Sequence, residues 1–499
     1  MNPILDCLEM TEAVYGHRTA VDDGAVCLTW KELAELSRRL GTAFCHQTER
    51  KTPIVILMEK SALTLAAMLG TVYAGCFYVM ADPGQPPERM KEILKVLDAD
   101  LAVTDEKGEK LLWAAGYRRR IYTLKKINEI KTDEHRLQTI RKCSSETDLL
   151  YGTFTSGSTG IPKCIAVSQK AVVDFISHFT SIFSFTADDR IGNQAPFDFD
   201  VSVKDIYTCV MTGASLILIP RELFSVPAAL LDYLCEKKVT SLTWAVSALT
   251  LVSSLKGLDY KVPESVRRVL FSGEIMPAKQ LRLWQKGLPR AEFANLYGPS
   301  EITCNCTYYP VDRIFSDQEK IPIGKAFPGR DVFLLDESGK EILIPDIPGE
   351  ICVGGESLAE GYYNNPGETA SRFIRDARGR YYRTGDLGYY GIDGELYFSG
   401  RKDFQIKHMG HRIELEEIEY ALEQLPGVER SCCLLDKRKN QLAAFYLGEG
   451  NPKEIKTALK EKVPLYMIPH KLIRTDRIPL NKNGKKDRKY FMERLEAEI

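Results

Sequence analysis

From about residue 20 to residue 350, short apolar runs alternate with amphipathic stretches of helical period, and that alternation leaves few architectures open. The runs "PIVILM" (53–58), "ASLILIP" (214–220) and "RRVLFSG" (267–273) each end near Gly or Pro. Continuous apolar runs of that length suit strands covered on both faces, as in the parallel sheets of α/β proteins. One run has the length of a bilayer crossing: "SALTLAAMLGTVYAGCFYVMA" (61–81) carries no charge. Ser61, Thr64, Gly70, Thr71 and Gly75 interrupt it, and its character changes at Ala74-Gly75. Residues 61–73 suit a helix and "CFYVM" a buried strand, so the segment reads as helix–turn–strand and not as a membrane span.

The texture changes twice more. From 331 to 398, pieces such as "DVFLLDESGKEIL" and "GELYFSG" read as short antiparallel strands of a small, barrel-like part. Beyond "GRKDFQIK", "ELEEIEYALEQL" (414–425) sets Leu415, Ile418, Leu422 and Leu425 on one helical face, and Pro426-Gly427 stops it. Two strand-like runs, "RSCCLL" and "QLAAFYL", and a helix opening near Pro452 complete a compact α+β unit. The boundary falls near Asp403. The expected organisation is an α/β core over 1–402, with buried sheets and flanking helices, and a small mobile α+β domain over 403–499.

Bulk properties exclude several classes. A formal net charge of −1 gives no general attraction to nucleic acid. "MNPILDCLEM" lacks the basic start and apolar core of a secretory signal. The thirteen cysteines contain no C-x-x-C pair and the seven histidines no H-E-x-x-H, so neither a disulfide framework nor a zinc site is expected. Reduced thiols point to a cytoplasmic protein.

"TFTSGSTGIPK" (153–163) concentrates glycine, serine and threonine before a lysine. Composition alone fits a flexible linker or an anion-binding loop. The flanks, "DLLYGTFT" (148–155) and "KCIAVS" (163–168), read as adjacent strands, which a linker between domains would not join. It is no Walker A loop, since G-x-x-x-x-G-K-[ST] does not match. The chemistry is related all the same. Gly157 and Gly160 permit close backbone approach, while Thr155, Ser156, Ser158 and Thr159 offer hydroxyls and Lys163 a point charge to phosphate oxygens.

This loop resembles the phosphate loop of the adenylate-forming superfamily, which includes acyl-CoA synthetases, luciferases and nonribosomal-peptide adenylation domains. Further resemblances follow in the family's order: "LTWKEL" (28–33), "YAGCFYVMADP" (73–83), "NLYGPSE" (295–301), "GGESLAEGYYNNPGET" (354–369), "YRTGDL" (382–387), "GRKDFQIKHMGHRIELEEIE" (400–419) and "NKNGKKDR" (481–488). The resemblance implies ATP and Mg2+ as cofactors and a two-step reaction. A carboxylate attacks the α-phosphorus of ATP and expels pyrophosphate; a thiol then displaces AMP. It also implies roles. Lys485, Glu301 and Thr155 are the catalytic set, with Lys485 bridging the carboxylate and the α-phosphate and Glu301 holding the metal. Asn295 and Tyr297 flank adenine, Gly298 and Ser300 complete the nucleotide site, and Asp386 accepts from the ribose hydroxyls with Arg401 beside it. Asp403 is the hinge, and Gly410 lies in the thiol channel.

Asp200 in "FDFDVSV" (197–203) matches the position where amino-acid-activating members hold the substrate ammonium. By motif position the side-chain pocket comprises Val201, Lys204, Thr243, Leu270, Ser272, Leu296, Cys304 and Asn305. Part of this set resembles pockets for small hydroxylated amino acids such as serine, and other segments resemble D-alanine–carrier protein ligases. Lys204 departs from both: either it points away from the pocket or it pairs with an acidic or strongly polar substrate side chain. The expected function is activation of an amino acid as aminoacyl-AMP and its transfer to the phosphopantetheine thiol of a separate carrier protein. "GGESL" (354–358) mimics a phosphopantetheine attachment sequence but lies inside a family motif, and only eleven residues follow Arg488. Residues 451–499 hold thirteen Lys/Arg against seven Asp/Glu, a balance suited to an acidic carrier. An acyl- or aryl-CoA ligase and a catalytically silent nucleotide-binding scaffold remain alternatives.

Overall fold

Two sheets with parallel centres carry most of the chain in a computed structural model that describes residues 3–157, 161–408, 410–436, 438–480 and 486–497. In the larger, Thr19–Asp22, Ser215–Leu218, Arg190–Asn193, Ser241–Ala245, Arg268–Ser272 and Glu292–Tyr297 run parallel in that spatial order. Antiparallel strands finish its edges: Cys27–Thr29 on one side, Thr307–Pro310 and Lys325–Ala326 on the other. The smaller sheet sets Leu149–Thr155, Phe77–Ala81, Pro53–Leu57, Leu101–Thr104 and Arg120–Thr123 parallel, with Lys163–Ser168 and Gly361–Tyr362 added antiparallel. The apolar runs at 53–57, 215–218 and 268–272 are buried throughout, as strands covered on both faces must be.

The uncharged segment 61–81 folds as helix Ala62–Tyr73 and strand Phe77–Ala81. Ser61 caps the helix by accepting from the Thr64 N–H. Among the described residues no helix is long and apolar enough to cross a membrane. This helix packs against Trp30–Cys45 through facing glycines. A Cβ on Gly70 would lie 2.7 Å from the Leu40 Cβ, and one on Gly41 would lie 2.5 Å from the Tyr73 Cβ. Both helices share one core with residues of both sheets.

The barrel-like part is a five-stranded antiparallel sheet. Its long strand Gly379–Tyr390 pairs with Gly349–Gly355 along one edge and with Phe373–Asp376 and then Leu396–Arg401 along the other, while Arg330–Leu335 pairs on the far side of Gly349–Gly355. Among the described strands this path does not close on itself.

Residues beyond Asp403 form the hairpin Gln405–His408/His411–Glu414, helix Leu415–Glu423, a sheet of Arg430–Asp436, Gln441–Leu447 and Lys471–Arg474, and helices Pro452–Leu459 and Arg488–Ala497. Two apolar clusters there draw only on residues 404–495. Leu415, Ile418 and Leu422 face the core as their spacing requires, and so do Glu417 and Glu419.

The glycine contact between the two helices has a measurable consequence. Gly70→Val forces the helices apart and is expected to lower stability by about 1–3 kcal/mol in urea unfolding. Gly367→Ala, where a Cβ meets nothing within 4 Å, is expected to change it by less than about 0.5 kcal/mol. Equal effects would contradict the packing account.

Candidate active site

A cavity of about 140 Å³ opens beyond the carboxyl ends of the strands Phe77–Ala81, Leu149–Thr155, Arg268–Ser272 and Glu292–Tyr297, and the hairpin 405–414 covers it. Ligands of open α/β sheets bind at such strand ends. Thr155 and Ser156 lie on its wall, and Thr155 forms the last register pair with Lys163. Gly157 turns the chain so tightly that a Cβ would sit 2.0 Å from the Ile161 carbonyl oxygen. The Ser156 hydroxyl donates to the Arg412 carbonyl at 3.0 Å. Lys163 is paired with Glu368 at 2.5 Å and lies over the Tyr362 ring. Ser158, Thr159, Gly160 and Lys485 lie outside the described residues.

Glu301 sits in a single 3₁₀ turn, Ser300–Ile302, with no exposed surface. Its carboxylate accepts from Arg412 Nη1 at 2.8 and 2.9 Å and from the Tyr362 hydroxyl at 2.8 Å. Burial pushes this carboxyl up, but the guanidinium and the hydroxyls of Tyr362 and Tyr382 outweigh it and hold it below the ordinary range.

Asp386 is engaged on both oxygens, by the Tyr297 hydroxyl at 2.6 Å and by Arg401. Arg401 also grips Asp403, Nε to Oδ1 at 2.6 Å and Nη2 to Oδ2 at 2.8 Å. Burial raises the Asp403 carboxyl, and the Arg401 clamp more than reverses it. Gly385 makes room for this arginine, since its Cβ would lie 3.0 Å from Nη2. Asn295 donates to the Pro322 carbonyl at 2.7 Å. Asn295 and Tyr297 stand behind the cavity wall, whereas Gly298, Ser300, Asp386 and Arg401 are on it.

The amino-acid side divides the same way. Asp200, at the start of helix Val201–Thr212, lies on the wall with Val201, Ser272, Cys304 and Asn305. Lys204, Thr243, Leu270 and Leu296 are buried behind it. Burial raises the Asp200 carboxyl, opposed by the Ser300 hydroxyl and by Lys204 and Lys407. Lys204 donates to Asn305 Oδ1 at 2.8 Å. Thr303 and Cys304 both adopt left-handed backbone, φ 56° and 75°, a strain that clusters at functional sites. The Cys304 thiol donates to the Asp200 carbonyl at 3.0 Å. Gly298 lets this turn approach, because a Cβ there would lie 2.5 Å from the Asn305 Cα.

Sequence reasoning placed Lys407 and Arg412 in a segment, "KHMGHRIEL" (407–415), expected to line the thiol channel, but gave neither a role of its own. Both reach the wall with Gly410, whose N–H donates to Glu274 at 3.0 Å. Arg89 of helix Pro87–Leu97 pairs with the buried Glu417. Nothing in sequence marked that pair, because an arginine and a glutamate on amphipathic helices read as solvated.

Comparison with known proteins bears on the family and the fold. Tyrocidine synthase 1 of Brevibacillus parabrevis is 31% identical over 93% of this chain. The chain spans only 42% of that protein, and smaller fractions of the other peptide synthases it matches. The D-alanine–D-alanyl carrier protein ligase of Listeria monocytogenes serotype 4b is 33% identical over 93% of each chain. Among solved structures, an NRPS protein containing adenylation and PCP domains superposes with a TM-score of 0.84 at 26% identity, covering 98% of this chain and 84% of that one. The Vibrio cholerae adenylation domain AlmE, in complex with glycyl-adenosine-5'-phosphate, shares the fold, with a TM-score of 0.87 at 23% identity over 100% of this chain and 98% of that one. Residues 8–363 match the family described as AMP-binding enzyme, and the chain belongs to that family.

Proposed function

We propose that this enzyme activates an amino acid with ATP as aminoacyl-AMP and passes the aminoacyl group to the phosphopantetheine thiol of a separate carrier protein. The observation that carries the reading is Asp200 on the same cavity wall as Thr155 and Ser156. A carboxylate placed there suits a substrate ammonium and is costly to bury opposite a fatty or aryl acid. In the first step a substrate carboxylate oxygen bonds to the α-phosphorus while the bond to pyrophosphate breaks. In the second the carrier thiolate attacks the acyl carbon and AMP leaves with the electron pair. Lys485 would meet the charge developing at the α-phosphate, and Asp386 would accept from the ribose hydroxyls.

Glu301 suits Mg2+, a hard cation that takes a carboxylate oxygen and fills its shell with water and phosphate oxygens. Bound there, Mg2+ neutralises phosphate charge. Arg412 now occupies those oxygens, so guanidinium and cation exclude each other. The two half-reactions therefore use different placements of residues 403–499 against 1–402. Asp403, clamped by Arg401, is the pivot, and Gly410 in the placement described here borders the thiol path. The unpaired thiols of all thirteen cysteines suit a reducing compartment such as the cytoplasm.

Amino-acid-dependent ATP–pyrophosphate exchange tests the reading; exchange supported only by aryl or fatty acids would point to a CoA-ligase-like enzyme. Lys485→Ala is expected to cut exchange by about 10²–10³-fold with ATP affinity little changed; equal loss of affinity would remove its assigned role. Arg412→Ala is expected to slow thioester formation more than exchange, and Glu301→Gln to raise the Mg2+ concentration needed for half-maximal exchange. The opposite order for Arg412, or an unshifted Mg2+ dependence, would contradict the two-placement account.

A further inference from the structure

We propose that Lys204 locks the Asn305 carboxamide with its N–H donors toward the amino-acid pocket, so that the preferred substrate carries a hydrogen-bond acceptor on its side chain: a hydroxyl, carboxamide or carboxylate. The inference rests on the reading of this cavity as an aminoacyl-adenylate site and names the substrate class that the site selects.

An ammonium has only donors, so the Asn305 atom that faces Lys204 Nζ at 2.8 Å is the amide oxygen. Lys204 has no exposed surface. Burial is the largest influence and lowers the Lys204 pKa, Lys407 adding to it, against the opposing effect of Cys304, Asp205 and Asp200. With its oxygen turned to Lys204, Asn305 presents Nδ2 as its unpaired group, and among the described residues no protein acceptor meets that nitrogen. Asn305 is on the cavity wall and Lys204 is not. Lys204 is thus a positioning residue that acts through the amide, and a direct ion pair with an acidic substrate is not its part.

The backbone holds the amide in place independently. Thr303 and Cys304 turn through left-handed conformations, the Asn305 N–H donates to the Thr303 carbonyl at 3.2 Å, and the Cys304 thiol ties the turn to Asp200. Gly298 lets the Asn305 Cα settle where any side chain would block it. A donor fixed from both sides and facing a small pocket penalises an apolar side chain, because the buried N–H is then left unpaired.

The test is exchange kinetics with matched side chains: L-serine against L-2-aminobutyrate, L-threonine against L-valine, L-asparagine and L-aspartate against L-leucine, and D-serine against D-alanine. In whichever pair fits the pocket, the acceptor-bearing member is expected to lead in kcat/KM by at least about tenfold. Lys204→Met is expected to raise the KM of that substrate while leaving the KM of its apolar partner in place, a split that a general loss of structure would not produce. Either single change strands a buried polar group, so the double variant Lys204→Met/Asn305→Leu, which replaces both partners with apolar groups, guards against misfolding. It is expected to reverse the preference toward the apolar member. A wild-type preference for alanine of either hand, valine or leucine would overturn the inference while leaving amino-acid adenylation standing, as would an unchanged preference in the double variant. Exchange with no amino acid at all would overturn the underlying reading and this inference with it.

Discussion

The contact of Arg412 Nη1 with both carboxylate oxygens of Glu301 governs the arrangement around the cavity. A carboxylate with no exposed surface must be paired, and breaking such a pair from one side costs about 3–5 kcal/mol. The guanidinium comes from the hairpin 405–414, so satisfying Glu301 also brings the C-terminal elements over the cavity. Three weaker contacts act in the same direction: the Ser156 hydroxyl on the Arg412 carbonyl, the Gly410 N–H on Glu274, and Arg89 with Glu417. The Arg89–Glu417 pair leaves Glu417 Oε2 without a partner among the described residues, so its burial is only partly compensated.

The same logic of shared partners recurs at the nucleotide side. Arg401 links Asp386, which faces the cavity, to Asp403, the proposed pivot. A ribose engaging Asp386 would compete with Arg401 for its oxygens, while Nε and Nη2 of Arg401 keep their own contacts to Asp403. On the amino-acid side, Asn305 on the wall and Lys204 behind it follow a contrary rule. Their contact holds one amide in a fixed orientation, and selection among amino acids depends on that rigidity.

Much of this was legible in sequence because the signals were periodic or chemically unusual. The run 61–81 separated into helix and strand at Ala74-Gly75, and the strands flanking 153–163 are adjacent as expected, pairing antiparallel. Asp200, Ser272, Cys304 and Asn305 meet on one wall although up to 105 positions separate them, because motif position records strand-end geometry. Contacts between units were illegible. Glu417 and Glu419 lie in an acidic run, "ELEEIE", that periodicity assigns to solvent, yet both are buried by partners from distant elements, Arg89 and Arg488. Whether Lys204 faces the pocket or stands behind Asn305 depends on the direction of one helix face at its first turn, which no spacing rule specifies.

The central claim is chemical: a particular acid becomes joined to AMP in this cavity. Incubating the full chain with ATP, Mg2+ and an equimolar mixture of amino acids of both chiralities, fatty acids and aryl acids, followed by mass spectrometry of the protein-bound nucleotide, tests it most directly. The account predicts an aminoacyl-AMP whose side chain bears an acceptor atom. An acyl- or aryl-adenylate, or bound ATP with no adenylate from any acid, would contradict it.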